Sequence, residues 1–140
     1  MKNLRSVLLA LTVLLLTTAA HAQTTNVKAN IPFDFVVGDR AFSAGEYTVK
    51  SMPQSSVAIR IDNVDESEQG VTLSGACDKV QPATQTALVF QRLGNNYFLY
   101  QIWTKGNSLG REFPRGKAEI QIAKKYSKPE LVIVAANISH

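Results

Sequence analysis

Apolar and polar positions alternate along much of this chain with a period of two, the pattern of strands that bury one face. In "ANIPFDFVV" (residues 29–37), Ile31, Phe33, Phe35 and Val37 alternate with Pro32, Asp34 and Val36. Pro32 has no N–H to donate, which suits an edge position or the start of a strand. "GDR" (38–40) turns the chain, and residues 46–51 predict the next strand, with Tyr47 and Val49 opposite Thr48 and Lys50. "SVAIRID" (56–62) alternates Val57, Ile59 and Ile61 with Ala58 and Arg60, and "VTLSGA" (71–76) predicts a short strand after an acidic loop. "TALVFQRL" and "YFLYQIWT" are joined by Gly94-Asn95-Asn96. Gly and Asn tolerate left-handed backbone, so a hairpin is expected here.

The second hairpin strand, residues 97–103, is apolar on both sides. Strict alternation puts Tyr97, Leu99, Gln101 and Trp103 on one face, and Phe98, Tyr100 and Ile102 on the other. One reading has the core on one side and residues 105–127 folded over the other. A wall for an aromatic ligand is the second, because Tyr and Trp join apolar bodies to hydrogen-bonding tips. A self-association surface is the third.

After Thr104 the pattern changes. "KGNSLGREF" is Gly-rich and irregular, and residues 114–127 open with Pro at a first helical position and carry good helix formers. Ile120 and Ile122 leave a strand open as the alternative. "ELVIVAAN" (130–137) is continuously apolar, which predicts a central strand covered on both faces. The whole reads as mostly β: an antiparallel β-sandwich or small barrel of about seven strands with one short C-terminal helix.

Composition then narrows the function. Lys2 and Arg5 precede the apolar run "VLLALTVLLL", and Ala20-His21-Ala22 gives the small-x-small pattern of a cleavage site. Residues 1–22 are therefore expected to be a secretory signal cut before Gln23, leaving one β-rich domain over 23–140. The run is short for a hydrocarbon core of about 30 Å, so no transmembrane segment is expected in the mature chain. With Lys2 and Arg5 gone, the formal charge falls from +4 to +2. Cys77 is the lone cysteine, so an exported fold must be held by its core rather than by an internal disulfide.

His140 is the one histidine left after cleavage, and it ends the chain. Ser-His-Asp and Cys-His catalysis and His-rich metal sites are unsupported, and no nucleotide or haem motif occurs. The reading is no enzyme, no cofactor and no metal. A two-carboxylate hydrolase is the surviving catalytic idea, but no spacing selects its pair. "DNVDESEQG" (62–70) departs from the ligand order of a calcium loop and reads as a solvated acidic turn.

Charge is uneven. Residues 105–140 carry seven bases and three acids, whereas 23–104 carry six and eight. A basic exposed segment attracts an anionic envelope component, and nucleic acid is a poor partner for an exported chain with Glu interspersed. Self-association is the other partner considered. The candidate binding residues are Tyr97, Tyr100 and Trp103 on the aromatic strand and Arg111, Arg115 and Lys117 after it. The expected localisation is the periplasm or the cell surface.

"FDFVVGDRAFSAGEYTV" and "LVFQRLGNNYFLYQIWTKGNSLGREFPRGKAEIQIAK" together resemble a family of small exported bacterial proteins with the patterns FxFxVGxxxxxAGxYxV, LVFxRxGxxYFLxxIW and GxxxGRExPxSKxE. Gly116 departs from it, standing where the pattern more often has Ser. The resemblance implies export and supplies no activity. "SAGEYTV" is also similar to a turn-and-strand found in surface β-sandwich modules.

Overall fold

Among the described residues, eleven strands, rather than about seven, form one sheet that curls until it nearly closes into a barrel, with one short helix outside it. This computed structural model describes residues 24–139; the expected secretory signal (1–22) and His140 lie outside the described residues. The additional strands arise where the sequence reading ran two together or saw none. Residues 29–37 split into β1 (Asn26–Ile31) and β2 (Phe35–Val37), because Pro32 ends the first ladder. β3 (Arg40–Phe42) pairs back on β2 across the Gly38-Asp39 turn, with Gly38 at φ 61°. β4 (Gly45–Ser51) and β5 (Ala58–Asn63) follow as expected.

The strand expected over 71–76 is two strands, β6 (Gln69–Leu73) and β7 (Gly75–Asp78), with Ser74 at the bend. β6 pairs with β5, and past the bend β7 pairs with β10 (Leu109–Glu112), a strand inside the segment expected to be irregular. β10 then joins β9 (Asn96–Trp103), β9 joins β8 (Ala87–Leu93), β8 joins β11 (Glu130–Ile138), and β11 joins β1. The bent stretch through Ser74 therefore closes the circuit covalently. A wedge-shaped gap remains between β6 and the first half of β9. The β2–β3 hairpin fills it, with β2 parallel to β9 at Val36–Phe98. β3 makes no ladder with β6; instead the Phe42 ring and the Arg40 chain lie against Gly70.

A side-chain clamp secures that seam. Glu68 accepts hydrogen bonds from the Ser43 N–H (2.8 Å), the Ser43 hydroxyl (2.8 Å) and the Tyr47 hydroxyl (2.6 Å). These donors, Tyr47 foremost, hold the Glu68 carboxyl below its ordinary range. Burial, reinforced by the hydrogen bond to Glu68, pushes the Tyr47 hydroxyl up to about 12.

The barrel interior is solid. Phe35 packs on Phe42 (5.3 Å between centroids), Tyr47 (5.1 Å) and Phe90 (5.6 Å), while Phe33 stacks on Tyr97 at 3.8 Å. Val27, Val49, Ile59, Ile61 and Leu88 fill the space between them. Each such side chain contributes about 1.5–3 kcal/mol on burial.

Strict alternation fails in β9. Val89 pairs with Gln101 and Phe90 with Leu99, so Tyr100 is the extra residue of a β-bulge. The bulge shifts the register of faces: Leu99 and Ile102 both point into the core, while Tyr100 and Trp103 both lie outside with Val89 and Ala83. Trp103 and Leu99 are thus on opposite sides, contrary to the sequence expectation.

The outer face of β9 is covered in two parts. The loop before β8 covers Trp103, with the Lys79 ammonium 4.0 Å from its ring centroid. Helix α1 (Lys117–Ala123) spans from the Gly38-Asp39 turn to Gly94, where Tyr126 lies. Gly116, its N-cap, sits on the backbone of Gly38 with no room for a Cβ. A side-chain cap is therefore supplied from elsewhere, as the Lys117 N–H donates to Asp39 Oδ1 at 2.7 Å. The helix buries Glu119, whose carboxyl is raised by burial and partly restrained by Arg115 at 3.6 Å.

β11 is central, as expected, but it is not covered on both faces. Leu131 and Ile133 are each 58% exposed on its outer side, paired with Gln91 and Val89.

Candidate functional site

The long strands of the barrel run between two ends. At one end the aromatic cluster and the Glu68 clamp fill the interior. At the other, where β1 begins and β9 finishes, a cleft of about 480 Å³ remains. That size falls within the range of about 300–1,000 Å³ typical of small-molecule sites.

The cleft follows from the strand register. Arg111 of β10 pairs with Ile102 of β9 on one side and Ala76 of β7 on the other. Paired residues share a face, and Ile102 belongs to the main core, so Arg111 projects inward at the mouth of the barrel. Ala76 is too small to fill the space opposite. Val57 and Leu109 add apolar wall, and Thr25, Ser56 and Asn107 place polar groups around it. Among the described residues no acid makes a salt bridge with Arg111. Its neighbour Glu112 is on the other face, accepting a hydrogen bond from Gln101 Nε2 at 3.1 Å. The mouth therefore holds one cation on a mostly apolar surface.

Gly110 explains how the wall stays thin. A Cβ there would collide with the Trp103 ring and the Ile102 carbonyl, so glycine lets the indole lie flat on the outside of β10. Trp103 Nε1 donates to Gln101 Oε1 at 3.0 Å, and Gln101 in turn donates to Glu112. Trp103 thus backs the strand that carries Arg111 without lining the cleft.

The remaining sequence candidates disperse. Tyr97 faces the closed end, stacked on Phe33 and with the Arg92 guanidinium 5.7 Å from its ring. Tyr100, on the bulge, is half-buried on the outer cluster and accepts the Phe113 N–H through its carbonyl. The three aromatics share no wall of the cleft. Arg115 pairs with Glu119, and Lys117 begins α1 on the outside. Sequence reasoning reached Arg111 through its charge but missed Ile102, Ala76 and Val57 as its companions. Their meeting depends on β10, which no periodicity in "NSLGRE" announced.

The acidic turn is occupied with its own backbone. Asp65 accepts the Ser67 N–H, Asn63 accepts the Asp65 N–H, and Glu68 holds the seam. Among the described residues no three acids, cysteines or histidines gather as metal ligands. Cys77 lies unpaired and half-buried on the outer side of β7, its thiol pushed up by burial and by Glu112 and Asp78. Among the described residues no helix is long and apolar enough to cross a membrane. No known family model matches the chain, and neither a curated protein nor a solved structure does.

Proposed function

We propose that this chain is an exported, non-catalytic binding module, acting in the periplasm or at the cell surface, that takes its ligand in the open mouth of the barrel. The observation that carries this reading is Arg111, a cation turned inward on the core face with no acid beside it among the described residues. Arg111 is half-buried at the mouth, and a guanidinium there with no acidic neighbour is available to an incoming anionic group. The leader-like residues 1–22 and the resemblance to exported proteins support the location. The packed interior argues against a carrier that swallows an apolar or aromatic ligand whole, because Tyr47 and Phe90 occupy that volume.

A second reading, self-association, is favoured by the bare Leu131 and Ile133 on β11. Native mass spectrometry of the protein purified from its own envelope separates the two. The binding reading expects a monomer carrying a small-molecule adduct that disappears when Ala76→Trp fills the mouth. A dimer without adduct, dispersed by Ile133→Lys, overturns it in favour of self-association.

A further inference from the structure

Given a ligand site in the mouth, we infer that its ligand is a small amphipathic carboxylate, with its head on Arg111 and a short apolar body on the walls. This inference rests on the binding reading above and adds the chemical class. Three features of the cleft select that class.

First, the charge is single. Among the described residues Arg111 is the one basic residue lining the cleft, and no acid lines it. A monoanion is neutralised there, whereas a phosphate monoester would keep excess charge beside apolar wall. Second, the donor is a fork. A guanidinium presents parallel N–H groups at the spacing of two carboxylate oxygens, a match that a lysine ammonium lacks. The hydroxyls of Thr25 and Ser56 and the amide of Asn107 are available to donate further bonds. Third, part of the wall is aliphatic, beside the polar rim of Thr24, Thr25, Ser56, Thr104 and Asn107. Val57, Ala76, Ile102 and Leu109 provide a surface for a hydrocarbon stem, and Leu109 is 52% exposed without one. The floor is Ile102 and the packed core, so the stem lies along the mouth rather than descending the barrel.

The test is a titration of the mature protein, residues 23–140, with straight-chain carboxylates from butyrate to decanoate, followed by calorimetry and by amide NMR. Hexanamide, hexylammonium and hexyl phosphate serve as head-group controls. The expected result is saturable carboxylate binding that moves the Thr25, Ser56 and Arg111 amides. Hexanamide binds about tenfold or more weakly, as does hexanoate to Arg111→Met, with Arg111→Lys intermediate because it keeps the charge and loses the fork. Unchanged melting of both variants shows that the loss is one of recognition. If hexanamide, hexylammonium or hexyl phosphate matches hexanoate in the mouth, or Arg111→Met binds hexanoate as well as the parent, the carboxylate assignment falls and the mouth site stands. If no probe moves the mouth amides while the envelope-purified protein keeps an adduct that Ala76→Trp removes, the class again falls alone. If the adduct is missing too, both fall.

Discussion

The two ends of this barrel share their long strands, β2 and β3 completing one and β7 and β10 the other, and they come out opposite. At the closed end, β4, β5 and β9 contribute Tyr47, Ile61 and Tyr97, and the space between strands is taken up by stacked rings and the Glu68 clamp. At the open end β4 finishes in Ser51 and β9 in Trp103, Val57 precedes β5, and the inward positions pass to Ile102, Ala76 and Arg111. Large rings meeting from both sides of a small barrel leave no room. A guanidinium facing an alanine leaves a cleft. The large rings thus crowd one end, and the proposed recognition falls at the other.

The sharpest break in that comparison is a large-to-small change at the closed end. Phe90→Ala removes a ring that touches Phe33 and Phe35, and is expected to cost about 3–5 kcal/mol in urea unfolding. Leu109→Ala at the half-exposed mouth is expected to stay within about 0.5 kcal/mol. Equal costs at the two sites would contradict the division.

Next in size is the wedge that fills the gap. Gly116→Ala places a methyl on the Gly38 backbone, where neither chain can yield cheaply, and is expected to cost about 1–3 kcal/mol by thermal or urea melting. The better helix former is therefore the worse residue here. Asp39→Ala, which removes the borrowed cap, is expected to cost about 1 kcal/mol.

The clamp predicts a pH signature confined to the closed end. Tyr47 holds its proton more tightly when folded, so its contribution is complete below 10.0 and is lost as pH rises towards about 12. Glu68 has the opposite sense: its carboxyl is lowered on folding, so its contribution is present above the ordinary value of 4.5 and is lost as pH falls through the folded one. Melting temperature against pH should therefore decline on both limbs. Tyr47→Phe should lessen the alkaline decline, which the raised Cys77 thiol shares, and Glu68→Gln the acid one, which Asp65 shares. Full retention of both limbs in the double variant would assign them elsewhere.

Smallest is the chemical reactivity of Cys77. With its thiol raised by burial, native protein is expected to react with a maleimide at pH 7 several-fold more slowly than urea-unfolded protein. Equal rates would mean that the outer cluster around Trp103 is open.

Much of the architecture was legible because burial in β1, β4 and β5 follows simple alternation. Tyr47, Val49, Ile59 and Ile61 point inward as their spacing predicts. The misreadings occur where tertiary partners override period two. The bulge at Tyr100 separates Trp103 from Leu99, and nothing local to that strand specifies it. The bend at Ser74 divides one expected strand between two sheet neighbours. β10 is a strand because Ala76 and Ile102 offer it ladders on both sides, not because "LGRE" favours extended backbone. The continuous apolar run in β11 suggested cover on both faces; its central position is real, and its outer face is bare. Arg111 stood out in the sequence as one base among several. Its inward direction came with the strand that was missed.

The most direct measurement of the whole account is the position of Arg111 itself. A crystal structure of the mature protein soaked with hexanoate is expected to show the guanidinium within the mouth, the carboxylate on it, and the stem against Ile102 and Leu109. A guanidinium swung out to solvent, or density for the additive among Phe33, Phe35 and Tyr97 instead, would contradict the separation of a packed end from a recognising one.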